Sequence, residues 1–283
     1  TLFPYTTLFR SRQIGDFLVT PLSDGNMAAS LELLSGISTT EAGEIQKQAG
    51  ITEPGNLHIY GYLIRGRGRT ILVDSGTGGV NNVGGQLKAN LQGAGVQPET
   101  VDTVLLTHAH PDHLGGLLDE EGMAVYPNAA LYLHPLEKAF WLDDARFAQA
   151  NERQQRNFIR ARQTLATYGE RVRLLSDAPI AEGIHPVPLP GHTPGHTGFR
   201  IDTPEACLII WGDIVHFPYI QTAHPGVSIA FDIDSEQAKA SRKRILAQAA
   251  AEKLLVAGMH FGGSGFARVI PEDQGYRIVY AEA

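Results

Sequence analysis

A dense cluster of metal-binding side chains stands at residues 107–116, which read THAHPDHLGG. Imidazole nitrogens and carboxylate oxygens are the usual protein donors for zinc and similar divalent ions. In an extended segment, His108, His110 and Asp112 point the same way, whereas His113 has the opposite parity. One ion could not easily take all four donors. The cluster therefore predicts two neighbouring ions, one held by His108 and His110 and the other by Asp112 and His113.

Each ion needs further ligands from elsewhere in the chain, and three isolated residues are the best candidates. They are His192 in PGHTPGHT, Asp213 in WGDIV and His260 in AGMHFGG. A carboxylate such as Asp213 can bridge two ions, one oxygen to each. The predicted sets are His108, His110 and His192 for the first ion, and Asp112, His113 and His260 for the second, with Asp213 between them. The remaining histidines His58, His134 and His185 are interpreted as ordinary surface or core residues.

The elements that must position these donors are short apolar strands. A histidine or aspartate follows such a run at Asp74, His108, Asp213 and His260. Strand ends on a common rim are where α/β folds gather functional groups. Residues 136–168 and 234–253 have helical patterns, the latter capped by Asp234 or Ser235. Strands and helices mix in both halves of the chain, which is compatible with two sheets packed face to face and covered by helices.

Composition narrows the possible classes of protein. The chain has 283 residues and a formal net charge of −7, without a basic face, so nucleic-acid binding is not expected. No apolar run approaches the length of a membrane helix. The single cysteine, Cys207, excludes a disulfide framework and a thiolate zinc cage. Residues 1–12, TLFPYTTLFRSR, are interpreted as a non-native or disordered segment before one domain at 13–283. The default location is cytoplasmic, with export open if the true N-terminus is missing.

These motifs, together with their order, resemble the metallo-β-lactamase superfamily. Asp74 in LVDSG, the 107–116 cluster, PGHTPGHT, WGD and the late His260 follow one another as in that family, and the resemblance covers residues 16–283. It implies an α/β fold, an αβ/βα four-layer sandwich of two mixed sheets flanked by helices. It also implies a dinuclear site, with zinc as the expected ion, and the same seven ligands. Asp74 and His196 are expected to orient ligands from behind, although a structural role for His196 is equally open.

Within the superfamily, the chain is similar to the branch of methyl parathion hydrolase and related lactonases. Trp141 falls in a matching E-x-x-FW element, where that branch lines its substrate pocket. The expected apolar pocket contains Trp141, Phe158, His216, Phe217 and Phe231, although helix packing is an alternative for Trp141 and Phe158. The related branch also suggests a homodimer.

Two departures from the wider family bear on the substrate. Related lactonases often carry a tyrosine three residues after the bridging aspartate, where this chain has His216, with Tyr219 further on. The first subclasses of zinc β-lactamases have cysteine at the position of Asp213. Cys207 precedes that position and is interpreted as a buried core residue. A β-lactam substrate is therefore less favoured.

The expected reaction is hydrolysis of a small-molecule lactone, ester or organophosphate triester, with broad specificity. A hydroxide shared by the two ions is the expected nucleophile. Asp112 and Asp213 are the predicted catalytic residues, and Asp213 is also a candidate proton acceptor. A glyoxalase II-type thiolester hydrolase is the alternative, but it should bring basic residues for glutathione. Arg242, Lys243 and Arg244 are interpreted instead as solvated charges. A metal-binding, non-hydrolytic member of the superfamily is the other alternative.

Overall fold

The computed structural model describes residues 10–282 and consists of short strands and helices in mixed order. The strands are β1 (Arg12–Ile14), β2 (Phe17–Ala28), β3 (Leu34–Ser35), β4 (Asn56–Gly66), β5 (Arg69–Val73), β6 (Thr103–Leu105), β7 (Ala130–Leu133), β8 (Val172–Leu174), β9 (Ile184–Pro188), β10 (Thr197–Asp202), β11 (Cys207–Ile210), β12 (Ser228–Ile229), β13 (Leu255–Ala257), β14 (Phe266–Pro271) and β15 (Tyr276–Tyr280). The helices are α1 (Thr39–Gln48), α2 (Leu87–Gly93), α3 (Pro111–Leu114), α4 (Pro135–Leu142), α5 (Asp144–Gln149), α6 (Glu152–Tyr168), α7 (Pro218–Ala223) and α8 (Ser235–Ala251).

Most strands belong to two mixed sheets. The first has the order β1-β2-β4-β5-β6-β7-β8, antiparallel from β1 to β5 and parallel from β5 to β8. The second has the order β15-β14-β13-β11-β10-β9, with β11 and β13 as its parallel pair. Strands β3 and β12 form a separate two-stranded ribbon.

The two sheets pack face to face and carry helices on their outer faces. Ile71 and Val73 of β5 point into the core between the sheets, where they meet Leu208 and Ile210 of β11. The alternate residue Leu72 points outward, as the two-residue period of a strand requires, and packs under α2, α4 and α6. On the second sheet, the outward residues pack under α8. The predicted layering of helix, sheet, sheet and helix is confirmed.

The helical prediction for residues 136–168 is correct in extent but misses two breaks. The structure divides the segment into α4, α5 and α6, because Asp143 and Asn151 adopt extended backbone angles and cap the helices that follow them. Helix α8 begins at Ser235 with Asp234 as its cap, as predicted.

The predicted non-native segment 1–12 lies mostly outside the described residues. Of its members, Arg10, Ser11 and Arg12 are described, and Arg12 is the first residue of β1. Within residues 10–282, no helix is long and apolar enough to cross a membrane.

Candidate metal centre

Five strand ends bring the predicted metal-binding residues to one rim between the sheets. Asp74 follows β5 and His108 lies shortly after β6, and these two strands are parallel neighbours. Asp213 and His260 follow β11 and β13, the parallel pair of the second sheet. Both β9 and β11 run antiparallel to β10, so β9 points the same way as β11, and His192 follows it. The carboxyl ends of all these strands therefore face the same cleft.

The backbone of the HxHxDH segment changes conformation at His110. His110 is extended and acts as the N-cap of α3, with Pro111 as the first helical residue. The extended stretch before His110 agrees with the shared direction predicted for His108 and His110. The parity argument does not apply to Asp112 and His113, because they are helical. They nevertheless fall into a separate donor group, together with Asp213 and His260.

Glycines after the cluster allow α3 to lie against the loop that follows β5. A Cβ atom on Gly115 would lie 2.2 Å from the Thr77 carbonyl oxygen, and one on Gly116 would lie 2.2 Å from that of Ser75. Both distances are far below a normal contact, so only glycine fits. The loop is further tied to α3 because the Ser75 backbone N–H donates to the His113 carbonyl at 2.7 Å.

The first donor group consists of His108, His110 and His192. His110 Nδ1 lies 3.0 Å from His108 Nε2 and 3.0 Å from His192 Nε2. One nitrogen from each ring lies within 4.8 Å of the others, which suits a shared metal ion. His108 and His192 are buried, whereas His110 is partly exposed on the cleft side.

The second donor group consists of Asp112, His113, Asp213 and His260. His113 Nε2 lies 3.4 Å from Asp112 Oδ2 and 3.1 Å from Asp213 Oδ2. His260 Nε2 lies 3.0 Å from Asp213 Oδ2 and 3.7 Å from Asp112 Oδ2. Ligands on a tetrahedral zinc ion, with bonds of about 2.0–2.1 Å, are separated by roughly 3.3 Å. The observed separations are on this scale.

Asp213 lies between the two groups. Its Oδ2 atom is 3.6 Å from His192 Nε2 and 3.9 Å from His108 Nε2, in addition to its contacts with His113 and His260. His216 also reaches this oxygen, with its Nε2 at 3.2 Å, and forms a third potential group with His192 and Asp213. One carboxylate is thus within ligand distance of both predicted sites.

Hydrogen bonds on the far side of the rings direct free nitrogen lone pairs into the cleft. His113 Nδ1 contacts Asp74 Oδ2 at 2.7 Å, His192 Nδ1 contacts Asp232 Oδ1 at 2.9 Å, and His260 Nδ1 contacts the His58 carbonyl at 2.7 Å. These oxygens only accept, so each Nδ1 carries a proton, and in the neutral ring Nε2 is the nitrogen that offers a lone pair to an ion. Among the described residues, His113 Nε2 and Asp213 Oδ1 have no hydrogen-bond partner although they are buried. Converging lone pairs without donors fit divalent metal ions.

The pKa shifts of the side chains differ between the two donor groups. Burial and the neighbouring imidazoles lower the pKa of His108 and His110 well below its usual value. Burial alone would also lower the pKa of His113, but Asp213, Asp112 and Asp74 raise it. Burial acts to raise the pKa of Asp213, but His113, His260 and His216 hold it well below its usual range. The rings of the first group are therefore neutral, whereas the second group contains two ionised carboxylates, Asp112 and Asp213, which suit a cation.

Two residues expected to orient ligands from behind do contact the centre. Asp74 accepts hydrogen bonds from the Thr107 backbone and hydroxyl at 2.8 and 2.6 Å, besides its contact with His113. His196 Nδ1 donates to the Leu189 carbonyl at 2.9 Å, so its Nε2 accepts the Asp213 backbone N–H, also at 2.9 Å. Burial lowers the pKa of His196 to about 3, which keeps the ring neutral in this bridging role.

The predicted aromatic pocket is only partly at the cleft. Phe231 is half-buried with its ring 6.0 Å from that of His216, whereas Trp141 packs edge-on against His110, with ring centres 5.7 Å apart, but is only 2% exposed. Phe158 and Phe217 lie in hydrophobic cores instead, 4% and 0% exposed. Neither offers surface to a substrate in this conformation, because helix packing covers both rings.

The structure corrects the predicted burial of Arg242 and Cys207. Arg242 is fully buried rather than solvated, and Lys243 and Arg244 are exposed as predicted. Cys207 is half-buried at the start of β11 rather than within the core. Tyr219 lies away from the centre and packs against Tyr280.

Three residues that support the donor groups were not identified from the sequence. Asp232 contacts His192, Arg242 lies behind Asp232 with Nη2 3.7 Å from its Oδ2, and Glu137 binds the backbone of Ala109. Glu137 is the acid of the E-x-x-FW element, so a signal existed there. Nothing in the local sequence around Asp232 distinguishes it from a surface acid.

Comparisons with known proteins agree with this geometry. Residues 54–260 match the family model of the metallo-beta-lactamase superfamily. A crystal structure of the hydrolase AbOPH, of the beta lactamase superfamily, is 30% identical, with a TM-score of 0.90 over 97% of this chain and 98% of that one. The structure of AidC, a dizinc quorum-quenching lactonase with bound product, is 24% identical, with a TM-score of 0.91 over 97% of this chain and 98% of that one.

A more distant structure has the same fold, that of a probable metal-dependent hydrolase from Staphylococcus aureus. It is 21% identical, with a TM-score of 0.78 over 96% of this chain and 99% of that one. No curated protein matches the sequence. The family model alone spans more than half of the chain, and it includes all seven predicted donors. This chain belongs to the metallo-beta-lactamase superfamily.

Proposed function

We propose that this protein is a dinuclear, zinc-dependent hydrolase of lactones, esters or organophosphate triesters. The observation that carries the proposal is the position of Asp213 Oδ2, within 3.9 Å of a histidine nitrogen from both donor groups. His108, His110 and His192 would hold one ion, and Asp112, His113 and His260 the other, with Asp213 shared. When bound, such ions lower the pKa of a water molecule to about 7 and polarise a substrate oxygen.

The protein residues would hold and polarise the substrate around this centre. His216 is 1% exposed, and neither of its ring nitrogens has a hydrogen-bond partner among the described residues, since Nε2 lies 3.2 Å from Asp213 Oδ2 without hydrogen-bond geometry. Burial lowers its pKa to about 4, so the ring is neutral at pH 7 and keeps one N–H. That N–H would donate to the substrate oxygen on which negative charge develops, as a preorganised donor in a dry site. Asp213 Oδ1, which lacks a donor, would take the proton released by the attacking water.

The cleft walls favour an uncharged substrate with an apolar portion. Phe231 is half-buried beside His216, Trp141 packs behind His110 with only 2% of its surface exposed, and the Arg153 guanidinium lies 5.6 Å from the Phe231 ring centre at the rim. Apolar walls bind by burial and discriminate weakly between similar shapes, which favours broad specificity. The lactonase AidC, whose structure contains N-hexanoyl-L-homoserine, supports lactones as one substrate class. Thiolesters of glutathione are less favoured, because buried Arg242 cannot bind a ligand carboxylate.

The test combines metal analysis with a substrate panel. Purified protein should contain two zinc ions per chain and hydrolyse an aryl lactone, an acyl-homoserine lactone or an aryl phosphotriester. His110→Ala should remove this activity while leaving the circular dichroism spectrum unchanged, because His110 is partly exposed and its side chain makes no capping hydrogen bond to α3. Failure to bind two divalent ions per chain, or turnover of thiolesters alone, would refute the proposal.

A further inference from the structure

Glu137 is a buried carboxylate in the first turn of α4 that accepts four hydrogen bonds. Its Oε1 atom accepts from the Ala109 backbone N–H at 2.8 Å and from the Trp141 indole N–H at 2.6 Å. Its Oε2 atom accepts from the Thr193 hydroxyl at 2.6 Å and from the Gly195 backbone N–H at 3.2 Å. The residue is 0% exposed, so bulk solvent does not reach these hydrogen bonds.

These partners place Glu137 between two segments that carry metal-binding histidines. Ala109 stands between His108 and His110, and Thr193 directly follows His192. The second segment also packs tightly against α4, since a Cβ atom on Gly195 would lie 2.3 Å from the Glu137 backbone nitrogen. One carboxylate thus joins the two segments of the first donor group. None of its hydrogen bonds reaches a residue of the second group.

The donor set requires an ionised side chain. Backbone and indole N–H groups cannot accept a hydrogen bond, so three of the four partners can only donate. A protonated carboxyl group or an amide would face these donors with a hydrogen of its own. Burial raises the pKa of Glu137, and the four donors act against that shift by stabilising the charged form.

We propose that Glu137 is a positioning residue that sets the spacing of the His108, His110 and His192 nitrogens and so fixes the affinity of the first metal ion. The inference rests on the proposed dinuclear function. Asp74 has the corresponding place behind the second group, through His113 and Thr107. The two ions therefore have separate buried carboxylates behind them, and their affinities should be separable by substitution.

The test measures zinc affinity in Glu137→Gln, with Asp24→Asn as the matched control. Asp24 is also a fully buried carboxylate, and it accepts from Thr77 and Leu87 rather than from the histidine segments. Chelator competition should resolve two dissociation constants in the wild-type protein. In Glu137→Gln, one should rise by about 10- to 100-fold, the usual cost of removing a group that orients ligands, while the other stays unchanged. Asp24→Asn should leave the dissociation constant that rises in Glu137→Gln unchanged, because Asp24 contacts neither segment of the first donor group.

Cobalt substitution gives a second readout, since the visible spectrum of one of the two cobalt ions should change in Glu137→Gln. If that variant does not fold, Thr193→Val removes one of the four donors without changing the size of the side chain. It should weaken the same single ion, by a smaller factor. Two unchanged dissociation constants, or equal weakening of both ions, would overturn the inference. Wild-type protein that binds fewer than two ions would instead refute the proposed function.

Discussion

Replacement of Arg242 by methionine should destabilise the protein strongly, although this residue lies in a run of three basic residues that looks like a solvated surface. Arg242 lies on α8 and is fully buried. Its guanidinium donates to the carbonyl oxygens of Ile214, Pro225 and Val227, with Nε 2.6 Å from Ile214 O. Burial lowers its pKa to about 10, and Asp232 acts against that shift, so the group is still charged at pH 7.

The magnitude follows from these contacts. Methionine fills a similar volume but donates no hydrogen bond, so the buried Ile214 and Val227 carbonyls and the partly buried Pro225 carbonyl lose a donor, at about 1 kcal/mol each. Asp232 also loses its buried cation, although it keeps hydrogen bonds from His192 and from the Ile229 backbone. Removing one partner of a buried ion pair costs about 3–5 kcal/mol in total, and we expect a loss of that size. For a chain of this length it corresponds to a fall in Tm on the order of 10 °C.

Urea unfolding of Arg242→Met, beside Lys243→Met as control, measures the effect. Lys243 is the next residue of the same helix and is exposed, so its replacement should change the free energy of unfolding by less than about 0.5 kcal/mol. Both proteins should be stripped of metal first, because bound ligand adds stability by mass action. If the two variants unfold at the same urea concentration, the assignment of Arg242 as a buried structural cation is wrong.

The remaining predictions concern the cleft. Asp213→Ala should reduce hydrolysis by more than about 100-fold, because removing a group that only orients a ligand already lowers activity by about 10- to 100-fold. Zinc analysis of the same variant should show fewer than two ions per chain. Removal of zinc by EDTA should lower Tm, because Asp112 and Asp213 then lose the cations that balance their charge. Added zinc should restore the original Tm, and an unchanged Tm in a thermal scan would contradict this prediction. Phe231→Ala should raise KM for an aryl substrate more than it lowers kcat, whereas His216→Phe should lower kcat. If Phe231→Ala mainly lowers kcat, or His216→Phe mainly raises KM, the proposed roles of these two residues are wrong.

Much of the fold and the donor set is predictable because it depends on local signals. Burial on both faces of β5 and β11 produces apolar runs that end at Asp74 and near Asp213, and those ends meet where the sheets pack face to face. The HxHxDH segment contributes four donors in six residues, which chance rarely produces. The parity argument for Asp112 was wrong because Pro111 starts a helical turn, and its fixed φ angle suits the first position of a helix.

What the sequence could not reveal depends on contacts between distant segments. Arg242 and Lys243 are adjacent and chemically alike, yet one is buried and the other is exposed, because α8 presents only one of them to the loop after β11. Asp232 is followed by exposed Ile233 and Asp234, and only its meeting with His192, 40 positions earlier, gives it a role. Phe158 and Phe217 were assigned to the pocket by residue type, but aromatic rings serve cores and pockets equally.

The buried charges around the centre form a consistent arrangement. Asp74, Glu137 and Asp232 each stand behind a different part of the donor set, and each accepts hydrogen bonds that fix a ring or a backbone segment. A buried carboxylate destabilises the fold unless each of its oxygens accepts a hydrogen bond. Each of the three acids therefore holds its neighbouring ring or loop in position only while its donors remain bound. Charged groups that would destabilise an ordinary core are tolerated here because they hold the histidine nitrogens at ligand spacing. The rigidity of the centre therefore comes from these supporting acids as much as from the residues that would contact the metal ions.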